Sequence, residues 1–166
     1  TIMAHNEKRR RPQFFRWFVS QTHQVARVDG AVEHHGETYG FSEYADFKRE
    51  KADQVFYGMN SVFCESQKMH NGTMPIPNFE HFEFVGEGDI DFQTVYIWHA
   101  ADHHDHNSVT YAENAHTGDP VYLQVHDRRT GPSETIEYRF FEFDAAPQDP
   151  NIFHPSAEIQ RLCVAN

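Results

Sequence analysis

Apolar and polar positions alternate through most of this chain, most clearly over residues 79–98, FEHFEFVGEGDIDFQTVYIW. The stretch reads as two strands folded back on a Gly86-Glu87-Gly88 turn. Phe82 and Phe84 share one face of the first arm. In the second, Ile90, Phe92, Tyr96 and Trp98 alternate with Asp89, Asp91, Gln93, Val95 and Ile97. Period-two alternation marks a strand with one buried face. Val95 and Ile97 make the far end apolar on both sides, which predicts a second layer or a ligand lying over it.

The rest of the chain reads as more sheet around this hairpin. Residues 24–32 (QVARVDGAV) alternate as a strand, and His34-His35-Gly36 makes a turn. Residues 109–111 open another strand, and residues 121–126 form a clean one after the Thr117-Gly118-Asp119-Pro120 turn. Residues 135–143 are the last long strand. Their phase flips at Phe140-Phe141, which predicts a bulge or a strand end covered on both sides. Residues 14–18 (FFRWF) suit a short strand or a docking segment.

Residues 42–56 (SEYADFKREKADQVF) carry two readings. One is a helix behind a Ser42 N-cap. The other is a pair of strands, 38–47 and 52–63, joined by the charged turn Lys48-Arg49-Glu50-Lys51. Local pattern leaves both open. Residues 69–78, with Gly72, Pro75 and Pro77, form a loop, and residues 99–108 a polar one. The sum is a meander of about eight to ten strands, and an antiparallel sheet of that length curls and buries its concave face. Residues 1–23 read as a basic and aromatic N-terminal arm, and residues 24–166 as a single β domain.

Composition narrows the class. A chain of 166 residues suits one domain able to bury a core. Fifteen Phe, seven Tyr and two Trp weight it toward β structure. No apolar run approaches the roughly 18 residues of a membrane span. A net charge of −11 argues against a nucleic-acid surface; the run Lys8-Arg9-Arg10-Arg11 reads as a solvated tail or a processing site. With neither an initial Met nor a signal peptide, the sequence reads as a processed product or a fragment. Protonating all thirteen histidines would more than cancel the negative balance, a property suited to an acidic lumen.

Cys64 and Cys163 are about a hundred residues apart and lack a C-x-x-C metal spacing. A disulfide closing a long loop is the favoured reading, worth roughly 4 kcal/mol in the chain-entropy model; two buried thiols are the alternative. Asn71-Gly72-Thr73 is an N-glycosylation sequon. Disulfide and sequon together point to a secreted or lysosome-like protein.

Catalysis is not signalled. No Cys-His-Asn or Ser-His-Asp set stands out, and Gly86-x-Gly88 belongs to a hairpin rather than a phosphate loop. Asp89 and Asp91, at i and i+2, read as a wet strand face rather than an acid/base pair. The expectation is a protein without catalytic activity or cofactor. His99, Asp102, His103, His104, Asp105, His106 and His116 offer nitrogen and oxygen donors to Zn²⁺ or Cu²⁺. A polar loop lacks the fixed outer shell of a built metal site, so no metal is expected; His103, His104 and His106 are the candidates if one binds. Phe82, Phe84, Phe92, Tyr96 and Trp98, with Leu123 and Tyr138, are singly core residues. As a set they line an apolar surface for a hydrophobic small molecule or lipid.

The order of elements resembles a known family. A strand–charged turn–strand (YADFKREKADQVFY) and a Cys precede a proline-bearing loop (MPIPNF) and the aromatic hairpin ending in Trp98. TGDPVYLQV, IEYRFFEF and the closing PNIFHPSAEIQRLC follow. Over residues 24–163 this resembles the ependymin-type, LolA-like β domains, also found as the non-catalytic N-terminal part of some papain-like cysteine proteases. The resemblance implies a curved antiparallel sheet of half-barrel form with little helix, a hairpin over residues 38–63, a Cys64–Cys163 bridge and a concave face for a lipid-like ligand. Three roles follow: a secreted or lumenal carrier, a non-catalytic subunit or pro-segment of a papain-like protease, or a self-assembling matrix protein.

Overall fold

A computed structural model of the chain describes residues 1–6, 12–69, 79–102, 107–127 and 134–165. The protein is mainly β, with little helix, as its alternation predicts. The strands are β1 (Ile2–Asn6), β2 (Gln13–Ser20), β3 (Val25–His34), β4 (Glu37–Asp46), β5 (Lys51–Tyr57) and β6 (Val62–Lys68). They continue with β7 (Glu83–Ile90), β8 (Gln93–Asp102), β9 (Asn107–Asn114), β10 (Pro120–Asp127), β11 (Glu134–Phe140) and β12 (Cys163–Ala165). A 3-10 turn, Pro150–Phe153, and a short helix α1, Ala157–Gln160, precede β12. The basic run at residues 8–11 lies outside the described residues.

The chain divides into two compact units. The first comprises Thr1–Phe14 and Pro77–Asp144, the second Phe15–Ile76 and Ala145–Asn166. Residues 1–23, expected as an arm, contribute β1 to a ladder with β11 and β2 to a ladder with β3.

In the first unit the strand order is β1-β11-β10-β9-β8-β7, all antiparallel. The central hairpin is present, but its turn is not at Gly86-Glu87-Gly88. Ile90 pairs with Gln93, and the loop is Asp91-Phe92, with φ of 49° and 63°. Two positive φ values in a two-residue loop define the type I′ turn, whose backbone twist matches the strands it joins. Gly86 instead follows a bulge at Val85, where the register with β8 shifts, and its φ of +151° suits glycine best. The glycines therefore shape β7 rather than end it. Moving the turn also moves Ile90 onto the Val95 face and takes Phe92 off the strand. Val95, Ala112 and Val121 are buried together there, with Ile90, Ile97 and Tyr122 packed against them.

In the second unit the order is β12-β6-β5-β4-β3-β2. The ambiguous segment is a hairpin, not a helix: β4 pairs β5 from Gly40↔Tyr57 to Asp46↔Lys51. Its loop closes where Asp46 Oδ1 accepts the Arg49 amide at 3.0 Å and Glu50 takes a φ of 51°. Ala52, Val55 and Phe56 are all buried, so β5 uses both faces, and cross-strand packing overrides its helix propensity. The expected strand 52–63 is two strands. The chain reverses at residues 58–61, where the Gly58 amide donates to Ser61 O at 2.8 Å. A Cβ on Gly58 would sit 2.8 Å from Ser61 Oγ and 3.1 Å from the Tyr39 ring.

The last long strand ends at Phe140 rather than continuing through a bulge. Phe141 and Phe143 are exposed beyond it. The C-terminal segment then crosses one face of the second unit. Asp149 and Ser156 cap its two helical turns. Cys163 pairs with Cys64 in a parallel β12–β6 ladder, and the two are joined by a disulfide. Ile159 and Cys163 cover Tyr44, Val55 and Cys64. Arg27 fastens the same segment: its Nη1 donates to Ile152 O at 3.1 Å while its Nε donates to Asp29 at 2.8 Å. Ser42 also donates to Asp29 at 2.7 Å, so one carboxylate oxygen, Oδ1, takes both bonds.

Candidate functional site

Cross-strand register puts one apolar row across all six strands of the first unit. Phe84 pairs with Trp98, Trp98 with Tyr111, Tyr111 with Leu123, Leu123 with Tyr138, and Tyr138 with Ala4. Strand spacing gives the row a length of roughly 24 Å. A second row beside it runs Ala100, Val109, Val125 and Ile136. Directly opposed residues share a face, so the rows form one continuous apolar strip. Its side chains are half-buried, with Phe84 exposed at 54%. The Phe84 ring lies 5.1 Å from Trp98 and 5.8 Å from Tyr96, both edge-on.

Two phenols lie within the strip. Burial, with help from the neighbouring Glu113 and Asp119 carboxylates, pushes the Tyr111 hydroxyl up to about 12. Burial raises that of Tyr138 as well. The two hydroxyls are polar points within the apolar strip, and that of Tyr111 is hydrogen-bonded to Glu113.

Phe84, Tyr96, Trp98, Leu123 and Tyr138, all expected to line a ligand surface, are thus on one face. Phe82 precedes β7; its ring lies tilted 5.1 Å from that of Phe79, which lies 5.2 Å from Tyr111. Phe92 is elsewhere, fully exposed at the hairpin tip. Asn71, His103, His104 and His106 lie outside the described residues. Of the other loop histidines, His99 is on the opposite face, 3.2 Å from Thr110 Oγ1, and His116 is exposed in the β9–β10 turn.

The opposite face is polar along most of its width. His99, Thr110, Gln124, Glu137 and His5 follow one another across five strands. Glu137 accepts from Tyr122 at 3.0 Å and from Gln124 at 3.3 Å. Burial and that Glu137 bond push the Tyr122 phenol up to about 12.

The second unit holds a ring cluster that strand-by-strand reading missed. His34, Tyr39, Phe41, Phe56 and Phe63 meet across β3–β6, with Phe56 and Phe63 stacked at 4.7 Å. Tyr39 and Phe41 at i and i+2 were the available signal; their partners became visible only with the β4–β5 and β5–β6 registers. This unit also has a cavity of about 210 Å³, lined by His23, Val25, Asp46, Lys48, Arg49, Pro150, Phe153 and His154.

Asp91, read as one of two wet-face carboxylates, sits in the turn and is ion-paired: Arg139 Nη1 lies 2.5 Å from both its oxygens. Ser20 Oγ is 2.9 Å from His23 Nδ1, but the same hydroxyl accepts the His23 amide at 3.4 Å, the geometry of a closed turn. Among the described residues, the grouping of possible metal ligands is Asp53 with Cys64 and Cys163, and both sulfurs are in the disulfide. No described helix is long and apolar enough to cross a membrane.

Fold and site together define a mainly antiparallel β protein with a continuous apolar face on one unit. No protein-family model matches the chain, and no curated protein matches it in sequence.

Proposed function

We propose that this chain is a non-catalytic, secreted or lumenal binding protein whose first unit takes a lipid-like hydrophobic ligand on its apolar strip. The observation that carries the reading is the uninterrupted row from Phe84 to Ala4. An apolar strip of that length fits an extended acyl chain or a flat polycyclic ligand, and burying it removes apolar surface from water. Tyr111 and Tyr138 supply polar contacts for an otherwise apolar ligand. The resemblance to ependymin-type, LolA-like domains supports the same class of ligand. The Cys64–Cys163 bridge and the Asn71 sequon support an oxidising, secretory history.

Native mass spectrometry of protein from its natural source, followed by denaturation of the same sample, tests this. An excess mass that disappears on denaturation, and is absent from a Leu123→Glu variant, is the expected result. A bare chain mass under conditions that preserve non-covalent lipid complexes would overturn it. A co-purifying polypeptide of protease size would move the assignment to a non-catalytic subunit of a papain-like protease.

A further inference from the structure

The tip of the β7–β8 hairpin breaks two local rules at once. Phe92 holds a φ of 63° in a turn that favours Asn-Gly or Asp-Gly, and its ring is fully exposed. Among the described residues no ring contact engages Phe92, whereas Asp91 beside it is held by Arg139 at 2.5 Å. Strained backbone positions cluster at functional sites. The tip therefore presents an aromatic knob on a braced turn, with the exposed carboxylate of Asp89 just behind it and that of Glu87 further along β7.

The second unit carries the complementary surface. Its cavity of about 210 Å³ has an apolar floor of Val25 and Phe153, both buried, with Pro150 beside them. The rim supplies Lys48, Arg49, His23 and His154. The one carboxylate there, Asp46, offsets Arg49, at 3.6 Å from its Nε and 3.0 Å from its amide, and Lys48 leaves the rim with a surplus of positive charge. A basic rim is against the grain of a chain with net charge −11. The volume exceeds the roughly 150 Å³ of an apolar cavity that takes benzene, so it accommodates a benzyl group.

We infer that Phe92 of one copy docks into the Val25–Phe153 cavity of a second copy. The Glu87 and Asp89 carboxylates then lie against the Lys48 and Arg49 rim. Knob and cavity occur on the same chain and match in size, polarity and charge sign, so the occupant that fits is another copy of this chain. Because the two surfaces differ, the contact is heterologous: each docked pair leaves one knob and one cavity open, and the assembly grows into rings or open chains.

Sedimentation velocity of the intact chain, from about 10 µM to about 1 mM where so small a contact registers, tests this. The expected result is mass that rises with concentration. Phe92→Gly separates association from folding, because glycine relieves the turn. Its melting temperature stays equal or rises, while association weakens roughly tenfold or more, as expected for a lost aromatic anchor. Lys48→Glu with Arg49→Glu also weakens association, and mixing that variant with Glu87→Lys/Asp89→Lys restores association, with the two variants alternating in equal numbers. A wild-type chain that stays monomeric throughout, or a Phe92→Gly variant that associates like wild type, overturns the inference.

Discussion

Two six-stranded units built from the same kind of alternating strand end up differently covered. In the second, both faces are packed. Tyr44, Val55 and Cys64 lie under the C-terminal segment, while Ala26, Ala45 and Phe47 form a second cluster with Val19 and Met69. In the first, the Val95 face has a compact buried cluster, but the strip from Phe84 to Tyr138 is half-buried at best. The difference comes from what crosses each sheet. A tethered strap of helical turns converts an apolar face into a core; among the described residues the strip of the first unit has only Phe79, with Phe82 beside it, against Tyr111, and it stays a surface.

Releasing the strap should have the largest effect. Cys163→Ser should cost about 2–5 kcal/mol, with the melting transition falling and the Cys64 thiol becoming reactive to alkylation. Unchanged melting would mean the strap is held without the bridge. Next is truncation at matched depths. Val55 is 0% exposed, and Val55→Ala should cost about 1.5–3 kcal/mol by chemical denaturation, from lost burial and the cavity left behind.

Leu123→Ala removes more carbon from the half-buried strip yet should cost less than Val55→Ala, about 1 kcal/mol or below. It should also weaken binding of a fluorescent fatty acid. A stability loss at Leu123 equal to that at Val55 would make the strip a core, not a ligand face.

The smallest effect is on pH. Tyr111 and Tyr122 have phenols raised to about 12 in the fold, against about 10 in an unfolded chain. Above pH 10 the unfolded state loses protons that the folded state keeps. Stability is therefore whole below pH 10 and declines as pH rises through 12. Phenolate absorbance should lag behind that of a denatured control; coincident titration curves would sink the assignment.

Much of this architecture is legible in the residues themselves. β3, β10 and β11 follow their alternation closely. The His35-Gly36 turn is where its composition puts it, with φ of 51° and 83°. Five of the seven aromatic and aliphatic residues singled out as a ligand surface share one face. The Phe92 assignment failed because Gly86 and Gly88 carry a stronger turn signal than Asp91-Phe92. The ring cluster around Phe56 escaped notice because its members come from four strands, and no single strand shows more than two of them.

Periodicity is a local quantity: it determined that this chain makes strands, where most of them run, and which residues share a face within each strand. Register, coverage and the choice between helix and hairpin at residues 42–56 depend on partners far along the chain. The tertiary structure alone decided that Ala45 would pair with Ala52, that the hairpin would turn at Asp91-Phe92, and that Cys163 would align with Cys64. It also decided which face would be covered, because burial is a property of what lies across a sheet and not of the strand that faces it.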